Sequence, residues 1–136
     1  MDKSSRVLVL GHRGLIGGAI HLKLAQMGYA PRHAGQIRNR SSARAMIDDA
    51  EYVFLCAGVG GGLAKNLREP AGLCLETLHL LTRTLEAVAR RREVRRLIWF
   101  ACACVYPVLD RPATEQDLWG GPLEPTSRAF AAATLA

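Results

Sequence analysis

Residues 7–17 read Val7-Leu8-Val9-Leu10-Gly11-His12-Arg13-Gly14-Leu15-Ile16-Gly17. A run of valine and leucine suits a strand, and glycines recur at every third position directly after it. The three have separate uses. Gly11 allows a tight turn, Gly14 lets backbone approach a phosphate, and Gly17 lets the next helix pack closely on the strand. An amphipathic helix from Ile16 to Met27 is expected to follow, with its positive dipole end and the free amides of Leu15 and Ile16 aimed at an anion. A dinucleotide pyrophosphate is the anion that this strand, turn and helix suit.

Downstream the pattern alternates. After strand Arg6–Leu10 and helix Leu15–Met27 comes a short strand near Tyr29–Ala34, weakened by Pro31. Ser41 is expected to cap a helix running through Asp49, and strand Tyr52–Ala57 follows. A long helix from about Pro70 to Arg92 carries leucines at 73, 75, 78, 80, 81 and 85, an apolar face wide enough to lie on a sheet. Strand Arg96–Ala103 precedes a Pro/Gly-rich loop to Thr126 and an alanine-rich segment, Ser127–Ala136. Alternating β and α units with short connections predict an α/β fold. The expected architecture is a Rossmann-like, doubly wound parallel sheet forming one domain over residues 1–136.

The 136 residues, 49% of them hydrophobic, suffice for one core. No stretch approaches the roughly 20 apolar residues of a membrane span, and the N-terminus lacks the apolar region of a signal peptide, so a cytoplasmic protein without membrane partners is expected. Cys56, Cys74, Cys102 and Cys104 sit inside apolar segments, as reduced thiols do. Cys102-Ala103-Cys104 lacks a second Cys/His pair, so no metal is expected. The net charge of +6 and the run Arg90–Arg96 raise the question of nucleic acid. That run closes a predicted helix, where arginines complement the dipole, and few aromatics are available to stack bases, so no nucleic-acid partner is expected.

Four groups of residues carry a family resemblance. Gly11–Ile20, Val53-Phe54-Leu55-Cys56-Ala57-Gly58 with Gly61-Gly62 and Asn66, Cys104-Val105-Tyr106-Pro107, and Leu123-Glu124-Pro125-Thr126 together resemble the GDP-L-fucose synthase family. These are NADPH-dependent epimerase/reductases of the extended short-chain dehydrogenase class, and the resemblance covers the cofactor-binding half of their fold without the C-terminal substrate domain. It implies a cofactor site of Gly11, Arg13, Gly14, Leu15, Ile16, Gly17, Arg32, Ala57 and Gly58. It also implies NADP(H) over NAD(H), because the arginine matching Arg13 favours the 2′-phosphate. The residues agree, since Arg32, His33 and Arg38 follow the second strand with no Asp or Glu to accept from a ribose hydroxyl. Gly60-Gly61-Gly62 is expected to let the chain pass close to the ligand.

The departures bear on chemistry. The family's Tyr-x-x-x-Lys reductase pair aligns with Phe130 and Thr134, its carbonyl-polarising serine with Cys102, and its long-helix asparagine with Thr77. Phenylalanine has no proton to give. Cys104 aligns with the cysteine that serves as base in epimerisation, and Tyr106 beside it is a candidate acid. The catalytic candidates are therefore Cys104, Tyr106 and Cys102. The expected function is a nucleotide-binding pseudoenzyme or partner subunit, with a homodimer or a partner complex expected to cover its apolar flank. The alternative is a non-redox isomerase or cyclase of a small metabolite or nucleotide sugar using Cys104 as base, and a redox-active reductase ranks third.

Overall fold

Four parallel strands form one sheet in the order β2-β1-β3-β4. The structure, a computed structural model, describes residues 2–59 and 62–136, so Gly60 and Gly61 of the expected glycine approach lie outside the described residues. Strand β1 is Val7–Leu10, β2 Arg32–Ala34, β3 Tyr52–Leu55 and β4 Arg96–Trp99. The helices are α1 Leu15–Gln26, α2 Arg40–Ile47, α3 Gly62–Arg68, α4 Pro70–Ala89 and α5 Arg128–Leu135. The chain falls into two compact units. One runs through Gly58 and resumes over Thr82–Phe100; the other takes the segment that ends at Leu81 together with Ala101–Ala136.

In the first unit the chain steps from β1 to β2, then returns past β1 to place β3 on its other side. This reversal sets the C-terminal ends of β1 and β3 side by side, the position at which open α/β sheets bind ligands. Register pairs Val7 with Tyr52 and Leu10 with Leu55, and Tyr52 in turn with Arg96. Every residue of β1 is buried, as a central parallel strand covered on both faces requires. Val7 and Val9 pack with Leu24 and Ile20 of α1, and with Tyr52 and Phe54 of β3. Leu8 and Leu10, also buried, alternate to the opposite face.

Several expectations change in detail. The α2 cap is Asn39, not Ser41: Asn39 Oδ1 accepts from the Ser42 amide at 2.8 Å, and Ser42 Oγ accepts from the Asn39 amide at 3.0 Å. This reciprocal box needs a polar pair three residues apart, which Asn39 and Ser42 supply. Helix α1 is not cleanly amphipathic. Gly17, Ile20 and Leu24, spaced to share one face, turn inward, which leaves Leu15 92% and Leu22 59% exposed. Helix α3 was not expected, and α4 ends at Ala89, before the arginine run. Arg91 and Arg95 of that run instead pair with Asp48 at 2.7 Å and Glu51 at 3.1 Å. On α4, Leu73 and Leu81 are buried but Leu75 and Leu85 are 54% and 47% exposed, so its leucine face is only partly covered. Strand β4 ends at Trp99, short of the expected Ala103, with the Phe100 amide making the last bond to β3, to Leu55 O at 3.1 Å, and residues 103–105 form a 3-10 turn instead. Among the described residues no helix is long and apolar enough to cross a membrane.

Candidate functional site

The glycine turn leaves β1 with Gly11 at φ +85°, a left-handed conformation that glycine adopts without strain. A Cβ on Gly11 would stand 2.5 Å from the backbone nitrogen of Ala57, and a Cβ on Gly17 would stand 2.2 Å from the Gly11 carbonyl oxygen. Neither position tolerates a side chain, so turn, helix start and the end of β3 are in backbone contact. Gly14 differs: its added Cβ would meet only the Gly11 oxygen, at an ordinary 3.4 Å. The Gly14 amide donates to Gly11 O at 3.0 Å, and the first helical bond runs from the Gly18 amide to Gly14 O at 2.8 Å. The amides of Leu15, Ile16 and Gly17 therefore precede any intrahelical acceptor. Gly14 caps α1 without a side-chain hydrogen bond, and no acidic residue stands in the first turn. This end of a 12-residue helix presents donors and partial positive charge with nothing negative on the helix to oppose an anion.

Around the turn, Arg13 and Gly58 are exposed and Ala57 is half-buried. Arg32 lies on β2, where its guanidinium donates to the Asp48 carbonyl at 2.8 Å, tying it to the end of α2. Arg38 precedes α2, with its amide on Ser42 Oγ and its carbonyl accepting from Arg83. Sequence reasoning missed the neighbours of His33. His12 and His33 stack with ring centroids 4.1 Å apart, and His21 lies edge-on to His33 at 5.5 Å and tilted to His12 at 6.3 Å. The Nδ1 atoms of His12 and His21 are buried without a hydrogen-bond partner among the described residues. Burial, followed by the charges of His33, Arg13 and His21, holds the His12 pKa below its ordinary value. His12 on the turn from β1 and His33 on the adjacent parallel strand meet through strand register, which spacing along the chain does not reveal. Among the described residues no group of His, Cys, Asp and Glu is arranged to hold a metal ion.

In the second unit, α5 packs against the Ala103–Val105 turn. Cys102 is exposed and caps this turn, with its Sγ accepting from the Cys104 amide at 3.2 Å. Cys104 and Tyr106 are half-buried. Burial, with the Cys102 contact second, pushes the Cys104 thiol up to about 12, so it is protonated at neutral pH. Pro107 bridges to Leu123, and the Glu124 carboxylate accepts from the Thr126 amide and hydroxyl and the Ser127 amide, at 3.0, 2.5 and 2.9 Å. Glu124-Pro125-Thr126 thus prepares the start of α5. On that helix Phe130 and Thr134 stand one turn apart, and the Thr134 hydroxyl donates to the Phe130 carbonyl at 2.9 Å. Thr77 does likewise on α4, donating to the Leu73 carbonyl at 2.7 Å. Both hydroxyls are buried against their own helix backbone.

These features agree with comparison to known proteins. The chain is 35% identical to the probable GDP-L-fucose synthase 1 of Oryza sativa subsp. japonica over 99% of its own length and 44% of that protein's. It is 31% identical to the GDP-L-fucose synthase of Escherichia coli K12, across 96% of this chain and 43% of the relative. A solved GDP-mannoheptose C4 reductase from Campylobacter jejuni, with NADP bound, superposes with a TM-score of 0.89 at 24% identity, covering 99% of this chain and 45% of that one. The chain thus spans under half the length of these relatives. The family model for NAD dependent epimerase/dehydratase matches residues 7–136, from the first residue of β1 through α5. By its parallel sheet, its glycine turn and this match, the chain belongs to the NAD dependent epimerase/dehydratase family.

Proposed function

We propose that this chain binds a nicotinamide dinucleotide, NADP(H) in preference to NAD(H), and acts as a nucleotide-binding pseudoenzyme or partner subunit. One observation carries the loss of reductase chemistry. Where the family aligns its proton donor and lysine, Phe130 has no ionisable proton and the Thr134 hydroxyl is engaged by the Phe130 carbonyl. The third altered position, Thr77, is engaged in the same way. On the binding side, the contact between Gly11 and Ala57 and the open amides of Leu15 and Ile16 support a pyrophosphate, with Arg13, exposed beside them, on the 2′-phosphate. Leu75 and Leu85, half-exposed on α4, support coverage by a second copy or a partner. The protonated Cys104 weighs against the isomerase alternative, because a thiol with a pKa of about 12 is a poor base at neutral pH.

Calorimetric titration with NADP⁺ and NAD⁺ tests the binding, and tighter NAD⁺ than NADP⁺ would contradict the preference. Incubation with NADPH and a GDP-4-keto-6-deoxy sugar tests the chemistry. Losing a general acid costs on the order of a hundredfold to ten-thousandfold in rate, so NADPH absorbance is expected to stay constant. Steady oxidation would overturn the pseudoenzyme reading.

A further inference from the structure

Cys102 and Cys104 are held together by the turn that separates them. The Cys104 amide donates to Cys102 Sγ at 3.2 Å, and the Cys104 thiol is within hydrogen-bond reach of Cys102. Both are free thiols, one exposed and one half-buried. Residues two apart in a turn keep their Cα atoms within the roughly 4.4–6.8 Å over which a disulfide bridges. We propose that Cys102 and Cys104 form a dithiol site that a hydroperoxide oxidises to an intramolecular disulfide, with exposed Cys102 attacking and Cys104 resolving.

The chemistry balances in two steps. The Cys102 sulfur, as thiolate, bonds to one peroxide oxygen; the O–O bond breaks, and the departing hydroxide takes up the thiol proton as water. The sulfur of Cys104 then attacks the Cys102 sulfenic acid, forming the S–S bond as the S–O bond breaks. Its own proton leaves with the hydroxide as a second water. One hydrogen peroxide is reduced by two electrons and two thiols are oxidised. An external dithiol reverses the change by exchange. Cys104 attacks through its small thiolate fraction, so burial of its thiol makes this second step the slow one and one that quickens as pH rises. This site does not depend on nucleotide binding.

The test treats the purified chain with hydrogen peroxide, alkylates remaining thiols and maps the peptide that begins at Leu97. That peptide is expected to lose two hydrogens and to carry no alkyl group, and to regain two alkylatable thiols after dithiothreitol. Cys104→Ser is expected to stop at a Cys102 sulfenic acid that dimedone traps. Cys102→Ser is expected to slow oxidation at Cys104 roughly tenfold or more. Circular dichroism checks that both variants fold, and Cys104→Ala replaces Cys104→Ser if it does not. A sulfinic or sulfonic acid at Cys102 beside an alkylatable Cys104, or a disulfide linking two chains, would overturn the proposal.

Discussion

Gly17 and Gly14 look alike in the sequence and differ in space. A methyl group at Gly17 would overlap the Gly11 carbonyl at 2.2 Å, and backbone on both sides cannot yield as a flexible side chain would. Gly17→Ala is expected to destabilise the protein by about 2 kcal/mol or more, read as a lowered urea midpoint. Gly14→Ala meets its nearest atom at 3.4 Å and is expected to leave the midpoint nearly unchanged; on the proposed mode of binding, in which backbone at Gly14 meets the pyrophosphate, it is expected to weaken NADP⁺ binding. Equal loss of stability in the two would show that the glycines have no separate uses. At this scale the glycine turn was legible because only glycine suits a φ of +85° and a backbone contact. The histidine cluster was not, because it unites residues 12, 21 and 33 through strand register, which spacing along the chain does not reveal.

Elements were legible where composition decides them and less so at their ends. The buried run of β1 and the central part of β3 and β4 follow from Val, Leu, Ile and Phe in succession. Their last residues depend on bonds made elsewhere: the Cys56 amide donates to Leu10 O at 2.9 Å and the Phe100 amide to Leu55 O at 3.1 Å, after which pairing ends. The start of α2 turned on which polar residue could reciprocate. Asn39→Ala removes the acceptor for the Ser42 amide and is expected to cost about 1 kcal/mol, whereas Ser41→Ala, outside the box, is expected to cost much less. Thermal melts of the two variants rank them, and a larger loss from Ser41→Ala would return the cap to that residue.

Across the whole molecule, a net charge of +6 grows as carboxylates protonate, and acid acts on groups at both ends of the sheet. Glu51, at the start of β3, accepts from the Arg6 amide at 3.0 Å and pairs with Arg6 at 3.7 Å and Arg95 at 3.1 Å, so one carboxylate joins the starts of β1, β3 and β4. The Arg6 amide is the leading cause that holds its pKa below 4.5. At the other end, burial first and neighbouring cations second hold His12 below 6.5. For each group the folded pKa is lower than the unfolded one, so the unfolded chain takes up the proton first and acid favours unfolding. The stability is complete above each ordinary value and is lost as pH falls through it towards the folded pKa. Two successive declines are therefore expected in urea midpoints measured from pH 8 downwards, one setting in below about 6.5 and the other below about 4.5. His12→Asn should flatten the first and spare the second; Glu51→Gln should lower stability at neutral pH and shrink the second without removing it, because hydrogen bonds also hold Asp117 and Glu124 below their ordinary values. A midpoint constant between pH 7 and 5 in the parent protein would show that the fold does not lower the His12 pKa.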